Sequence, residues 1–148
     1  MPDKRTIQRA RKDARRGKSA STQAGEFVRE EMDHIRKGKH GARSTKQAIA
    51  IGLSKARRAG VKLKPPKAGA ASTRTRTQAA RDLRKAGAKK KVSAKRSRAV
   101  RGALKREGRS AASKKSLSRQ ARQSAKKRGR LRRSRMYALS TTVCASSK

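Results

Sequence analysis

Aromatic side chains are almost missing from this chain: Phe27 and Tyr137 stand alone among 148 residues, and there is no tryptophan. That scarcity argues against the stacking platforms that hold single-stranded nucleic acid, and against RNA-recognition modules built on aromatic signatures. Cys144 is the sole cysteine, so no internal disulfide can form, which fits a reducing cytoplasm. No stretch approaches the roughly 18 apolar residues of a spanning helix. The first residues, MPDKRTIQRARKD, lack the apolar segment of a secretory signal. Acids are scarce too: 8 Asp plus Glu face 47 Lys plus Arg, for a formal charge of +39.

Large apolar groups are few, since only 32% of residues are hydrophobic and many of those are alanine. A chain of this kind cannot bury enough apolar surface to offset the entropy of ordering all of itself. Most of it is expected to be disordered, or helical only against a partner. That partner should be a polyanion, because phosphates relieve the self-repulsion and release counterions on binding. Nucleic acid is the obvious candidate, and with so few stacking groups duplex DNA is favoured over RNA through backbone contacts.

What order there is should centre on residues 37–60. Ser44 followed by Gln47 gives the S-x-x-Q capping pattern. Ile49, Leu53 and Ala56 then recur at the spacing of one helix face. Lys55, Arg57 and Arg58 load the last turn, and Gly60 supplies a left-handed stop. The pattern predicts a helix over 45–59. Upstream, Gly38 and Gly41 bracket Lys39 and His40, with Arg43 and Lys46 beside the helix start. Free backbone N–H groups and clustered cations there would make a phosphate clamp. The competing reading is a glycine connector with solvated charges. The spacing is not that of a nucleotide-hydrolysing P-loop.

Residues 24–37 hold Glu26, Glu30, Glu31 and Asp33, half of the acids in the chain. Val28, Met32 and Ile35 recur at i, i+4, i+7, which predicts an amphipathic helix stopped by Gly38. A short loop then gives an antiparallel helical hairpin, with Val28, Met32 and Ile35 facing Ile49, Leu53 and Ala56. On its own such a hairpin is marginal, so a homodimer through 24–60 or a bound polyanion is expected to complete it. The resulting organisation is a basic N-terminal arm (1–23, with a short helix over 7–17), the hairpin core (24–64), a Pro/Ala/Gly spacer (65–72) and a Lys/Arg/Ala/Ser-rich tail (73–148).

The tail carries a faint repeat: segments 77–87, 98–108 and 119–129 each run from alanines and cations to a glycine. Either these are short cationic helices that form along a phosphate backbone, or basic last turns and glycine stops have simply converged. The last stretch, 136–148, is less charged and reads as a frayed end or a docking tail.

The cations offered to phosphate are Lys37, Lys39, His40, Arg43 and Lys46 at the loop, with Ser44, and Lys55, Arg57 and Arg58 at the helix end. In the tail they are Arg74, Arg76, Arg81, Arg84, Lys89, Lys90, Lys91, Lys95, Arg96, Arg98, Arg101, Lys105 and Arg106. They continue through Lys114, Lys115, Arg119, Arg122, Lys126, Lys127, Arg128, Arg130, Arg132 and Arg133. No catalytic constellation stands out. Glu30 and His34 are spaced i, i+4, but two such groups make no stable metal site and read as a solvated helix face. No metal, no cofactor and no enzyme activity are expected.

The run GEFVREEMDHIRKGKHGARSTKQAIAIGLSKARRAGVKLKPPKAG resembles a family of short, very basic bacterial proteins of unknown function. Its KGKHG and KQAIAIGLS segments carry the likeness, which spans about residues 25–69, and Lys64 stands where that family places proline. The resemblance implies a bacterial source and an α-helical core. The tail is similar in composition to histone H1-like bacterial nucleoid proteins. The expectation is therefore an all-α protein of the bacterial cytoplasm and nucleoid: a helical hairpin with long basic tails that binds DNA without sequence preference and compacts it. The alternatives are an RNA- or ribosome-associated protein, a cationic membrane-surface peptide, and an adaptor whose helix 24–37 recruits a partner protein. The membrane reading is weakened by the lack of a broad apolar face on the basic segments.

Overall fold

The computed structural model describes residues 2–86 and 93–145, with side chains as far as Arg130, and every regular element among them is helical. In order these are α1 (Lys4–Arg15), α2 (Ala20–Arg36), α3 (Thr45–Arg58), α4 (Thr73–Arg84), α5 (Ala94–Arg106), a 3₁₀ turn (Ser110–Ala112) and α6 (Lys114–Ala145). The chain divides after Ser113 into a compact helical unit and α6.

Local sequence sets most helix ends. Serine opens four of them: Ser19, Ser44, Ser72 and Ser93 each accept a hydrogen bond from the backbone N–H three residues on, satisfying one of the donors a helix start leaves free. Asp3 does the same for α1 through the Arg5 N–H at 3.0 Å. At the other end of α3, Gly60 adopts φ +98°. Its N–H reaches the Arg57 carbonyl at 3.0 Å, and the Val61 N–H reaches Ala56 at 3.1 Å. That pair of bonds is the glycine-stopped helix end the sequence predicted. Gly17 and Gly38 close α1 and α2 in the same way.

α3 starts at the expected residue and ends one short of the expected 59, whereas α2 begins four residues before the expected start, because Ser19 caps it. The seam between α2 and α3 is also closer than the bulky stripe suggested. Ala48, Gly52 and Ala56 are buried along α3, and a Cβ on Gly52 would lie 2.7 Å from the Val28 Cα. Small residues let the two backbones touch, so Ile49, Leu53 and Val28 flank the contact half-buried instead of filling it.

Segment 1–23 is packed rather than free. Ala10 joins Ala24, Phe27, Ala56 and Val61 in one buried cluster, with Ile7, Ala20, Leu53, Ala59 and Leu63 against it. Complete burial of Phe27 and of Ile35 contributes about 1.5–3 kcal/mol each. The chain itself thus covers faces that the sequence left to a second copy or a polyanion. α4 packs on α3, where the buried Asp82 carboxylate accepts from Ser54 Oγ at 2.6 Å and Gln78 Nε2 at 3.2 Å.

Residues beyond the spacer also belong to this unit. The 3₁₀ turn caps one end of α2 and α3: Thr45 Oγ1 donates to the Ala111 carbonyl at 2.7 Å and Arg36 Nε to Ala112 at 3.1 Å. Ala111 and Ala112 are buried beneath those contacts. α5 buries no residue of its own and packs on no other helix among the described residues. It is held by its C-terminal end, where the Leu104 and Gly108 carbonyls accept from the Gly41 and Ala42 N–H groups at 2.8 and 3.1 Å.

α6 runs 32 residues, about 48 Å at 1.5 Å per residue. Gly129 does not end it, so the third expected short helix is part of one long one, and the backbone stays helical through most of the stretch read as frayed. A glycine stops a helix only when it turns left-handed and the chain folds back, and Gly129 takes no positive φ.

Candidate nucleic-acid interface and a buried carboxylate–histidine cluster

Much of the backbone expected to cradle a phosphate between α2 and α3 is already hydrogen-bonded within the protein. Gly38 and Lys39 donate their N–H groups to the Ile35 and His34 carbonyls, and Gly41 and Ala42 donate theirs to Leu104 and Gly108. The Arg43 N–H is taken by Gln47 Oε1 at 2.9 Å, and Ser44 Oγ by the Gln47 N–H at 3.2 Å. Six donors of the loop and helix start are thus used within the fold: two by the end of α2, two by the end of α5, and two by the Ser44–Gln47 cap.

Several candidate cations also turn inward. Lys55 Nζ meets Glu31 Oε2 at 2.5 Å, and Glu31 is fully buried. Arg57 is buried, with its Nε donating to the Leu63 carbonyl at 3.2 Å. Burial lowers its pKa, partly countered by Asp82. His40 lies half-buried, its Nδ1 3.1 Å from the Gly41 carbonyl and its Nε2 3.3 Å from Glu31 Oε1. Arg58 stays exposed yet is drawn to Asp82 and Ser54. These four are engaged by the protein itself.

The remaining candidates sit outward. Lys37, Lys39, Arg43 and Lys46 are exposed around the loop, as are Arg74, Arg81 and Arg84 on α4, with Arg76 half-buried. On α5, Lys95, Arg96, Arg98, Arg101, Lys105 and Arg106 are all exposed. On α6 the same holds for Lys114, Lys115, Arg119, Arg122, Lys126, Lys127, Arg128 and Arg130. Lys115, Arg119, Arg122 and Lys126 follow at i, i+4, i+7, i+11 and line one groove with Ser118 and Gln123. Lys89, Lys90 and Lys91, and the side chains of Arg132 and Arg133, lie outside the described residues.

The acids explain why the surface is so one-sided. Glu26 pairs with Arg9 at 2.8 Å, Asp13 with Lys18 at 2.8 Å and Asp33 with Arg36 at 3.6 Å, while Glu31 and Asp82 are held as above. Glu30 is buried and accepts the Asp3 N–H at 3.1 Å through Oε1, with its Oε2 unpartnered. No Asp or Glu follows Glu107 in the sequence, so α6 carries its cations with no carboxylate of its own.

Residues 4–68 match a family described as one of unknown function (DUF6496). The match takes in α1, α2 and α3 with the segment that folds back over them, and it ends before α4. It thereby includes α1 in the family's unit, in line with its packing on α2. The chain matched no curated protein and no solved structure. Among the described residues, no helix is long and apolar enough to cross a membrane.

Sequence reading also missed a cluster. Glu30 and His34 do not form a solvated face: Glu30 is 6% exposed, and Glu31, one residue on, is fully buried. Glu31, His34 and His40 bring one ligand atom each to within 4.8 Å of one another. The two imidazoles meet edge to face, centroids 6.0 Å apart at 80°. The signal was the Glu31–His34 spacing of i, i+3. Closing it with His40 requires the left-handed turn at Gly38, which brings the loop back over α2.

Proposed function

We propose that this is a non-enzymatic nucleic-acid-binding protein that grips duplex DNA through its phosphates, largely without regard to sequence. What carries the reading is α6. It is 32 residues of helix, studded with exposed Lys and Arg and free of acids. Duplex DNA presents about one phosphate charge per 1.7 Å of axis, so a helix about 48 Å long can engage many at once. The helical unit before it keeps most of its acids internal or paired and adds the exposed cations of α4 and α5. Neutralisation of this kind compacts DNA, and a bacterial nucleoid is the setting suggested by the tail's compositional likeness to histone H1-like proteins.

RNA is the second reading, and the near absence of aromatic groups weighs against it. The adaptor reading loses its surface, since Phe27, Met32 and Ile35 of α2 are buried and its acids Glu30 and Glu31 lie inside. Competition by fluorescence anisotropy tests the proposal, using two duplexes of unrelated sequence and a ribosomal RNA fragment at matched salt. The two duplexes should compete equally, and both should outcompete the RNA. A strong preference for one duplex, or for the RNA, refutes it.

A further inference from the structure

Phosphate binding makes no use of Glu31, His34 and His40. A carbonyl can only accept, so the His40 Nδ1 that faces the Gly41 carbonyl at 3.1 Å carries the ring proton. In the neutral ring Nε2 is then a lone pair, and it lies 3.3 Å from Glu31 Oε1. That oxygen is buried and accepts no hydrogen bond, while Oε2 is taken by Lys55. With the ring neutral, two acceptors sit together with no donor between them, which is unfavourable unless a proton or a metal ion lies there.

The geometry suits one. Two ligand atoms of a tetrahedral zinc ion, each about 2.0–2.2 Å from the metal, lie about 3.3–3.5 Å apart. The His40–Glu31 separation of 3.3 Å is such an edge. With the three ligand atoms within 4.8 Å of one another, His34 needs to close by up to about 1.5 Å to complete the set. We infer that Glu31, His34 and His40 are a three-ligand site for a borderline divalent cation, zinc first. Two imidazoles and one carboxylate suit zinc or its nitrogen-seeking neighbours and not calcium or magnesium.

The surroundings are those of a supported site. The Gly41 carbonyl fixes the His40 tautomer, as outer-shell acceptors do for metal-bound histidine. Lys55 holds the other oxygen of Glu31, leaving one for the ion. Glu30, whose Oε1 stands 3.8 Å from His34 Nε2, adds a second buried carboxylate that offsets the Lys55 charge. The ion would tie α2 to the loop that holds the end of α5. A proton on His40 Nε2, bridging to Glu31, is the competing occupant.

The test uses the full chain carrying Cys144→Ser, which removes the thiol as a zinc ligand, in phosphate-free buffer. The chain has 2 histidines, so ring NMR signals report on the site directly. One equivalent of Zn²⁺ should shift both imidazoles together and raise the melting temperature. His34→Gln and His40→Gln should each weaken uptake at least tenfold while keeping the helical circular dichroism. The inference is overturned if only one ring or neither responds, if His40 stays doubly protonated under excess zinc, or if both variants bind zinc like the parent. The ring signals of the unsubstituted histidines decide the matter even if a variant loses its fold. DNA affinity is a separate readout, so failure here leaves the nucleic-acid proposal standing.

Discussion

Two glycines, one in α2 and one in α3, offer a test in which the sign of the effect is decisive. Glycine inside a helix costs about 0.5–1 kcal/mol relative to alanine. Gly25 lies in α2, and a Cβ added there would meet nothing within 4 Å, so Gly25→Ala should return that amount as added stability. Gly52 lies in α3, where the same Cβ would sit 2.7 Å from the Val28 Cα and 3.0 Å from its N and Cγ2. Two of those three atoms are backbone, so no rotamer change relieves the clash and the helices must part by roughly 1 Å. Overpacking of that kind costs about 1–3 kcal/mol, which exceeds the propensity gain. Gly52→Ala should therefore lower the stability of the helical unit by about 1–2 kcal/mol net. Urea unfolding followed by circular dichroism measures both variants. Equal stabilisation by the two substitutions would show that α2 and α3 do not touch at Gly52, and the packing derived above would be wrong.

Gly41→Ala would place a Cβ 1.8 Å from the Glu107 carbonyl oxygen. It should release the end of α5, costing about 1–3 kcal/mol for two backbone hydrogen bonds, seen as faster exchange of the amides at positions 41 and 42 than in the parent; unchanged exchange rejects the docking. Asp82→Ala removes the acceptor of Ser54 and Gln78 and should loosen α4 by about 1.5–3 kcal/mol, read as protease cleavage within 73–84 while α1–α3 stays intact; wild-type resistance counts against that anchor. Because the His34 pKa is lowered in the fold, the unfolded chain binds that proton more readily. This contribution to stability is present above about pH 6.5 and lost as pH falls below it. In chelator-containing buffer, His34→Gln should flatten the acid limb of the urea midpoint against pH, and parallel curves would contradict the shift.

The helix ends were the most legible part of the sequence. Ser44, Gln47 and Gly60 fix α3 because capping is local chemistry, written in the side chains that perform it. Ser19 carries the same signal among small polar neighbours, while the apolar stripe of α2 begins only at Phe27 and Val28 and so marks its start late. The docking of α5 and the 3₁₀ turn was not legible, since Leu104, Gly108, Ala111 and Ala112 act through backbone carbonyls that every residue possesses. The α2–α3 seam misled for a related reason: large apolar residues mark a face, while close approach depends on the small ones, Ala48, Gly52 and Ala56. Charge misled most at the loop. Lys55, Arg57 and His40 look like phosphate ligands in a basic sequence, yet they neutralise or pack against buried partners. On α6, where no acid competes, the candidate cations as far as Arg130 are exposed.

The central claim, that binding comes from many Lys and Arg contacts with phosphate, is tested most directly by the salt dependence of duplex DNA affinity for the full chain. With about ten phosphates engaged, a plot of log K against log salt between about 50 and 200 mM should fall with a slope near −9. A slope shallower than about −2 would mean that only one or two phosphates are neutralised, and it would contradict the account.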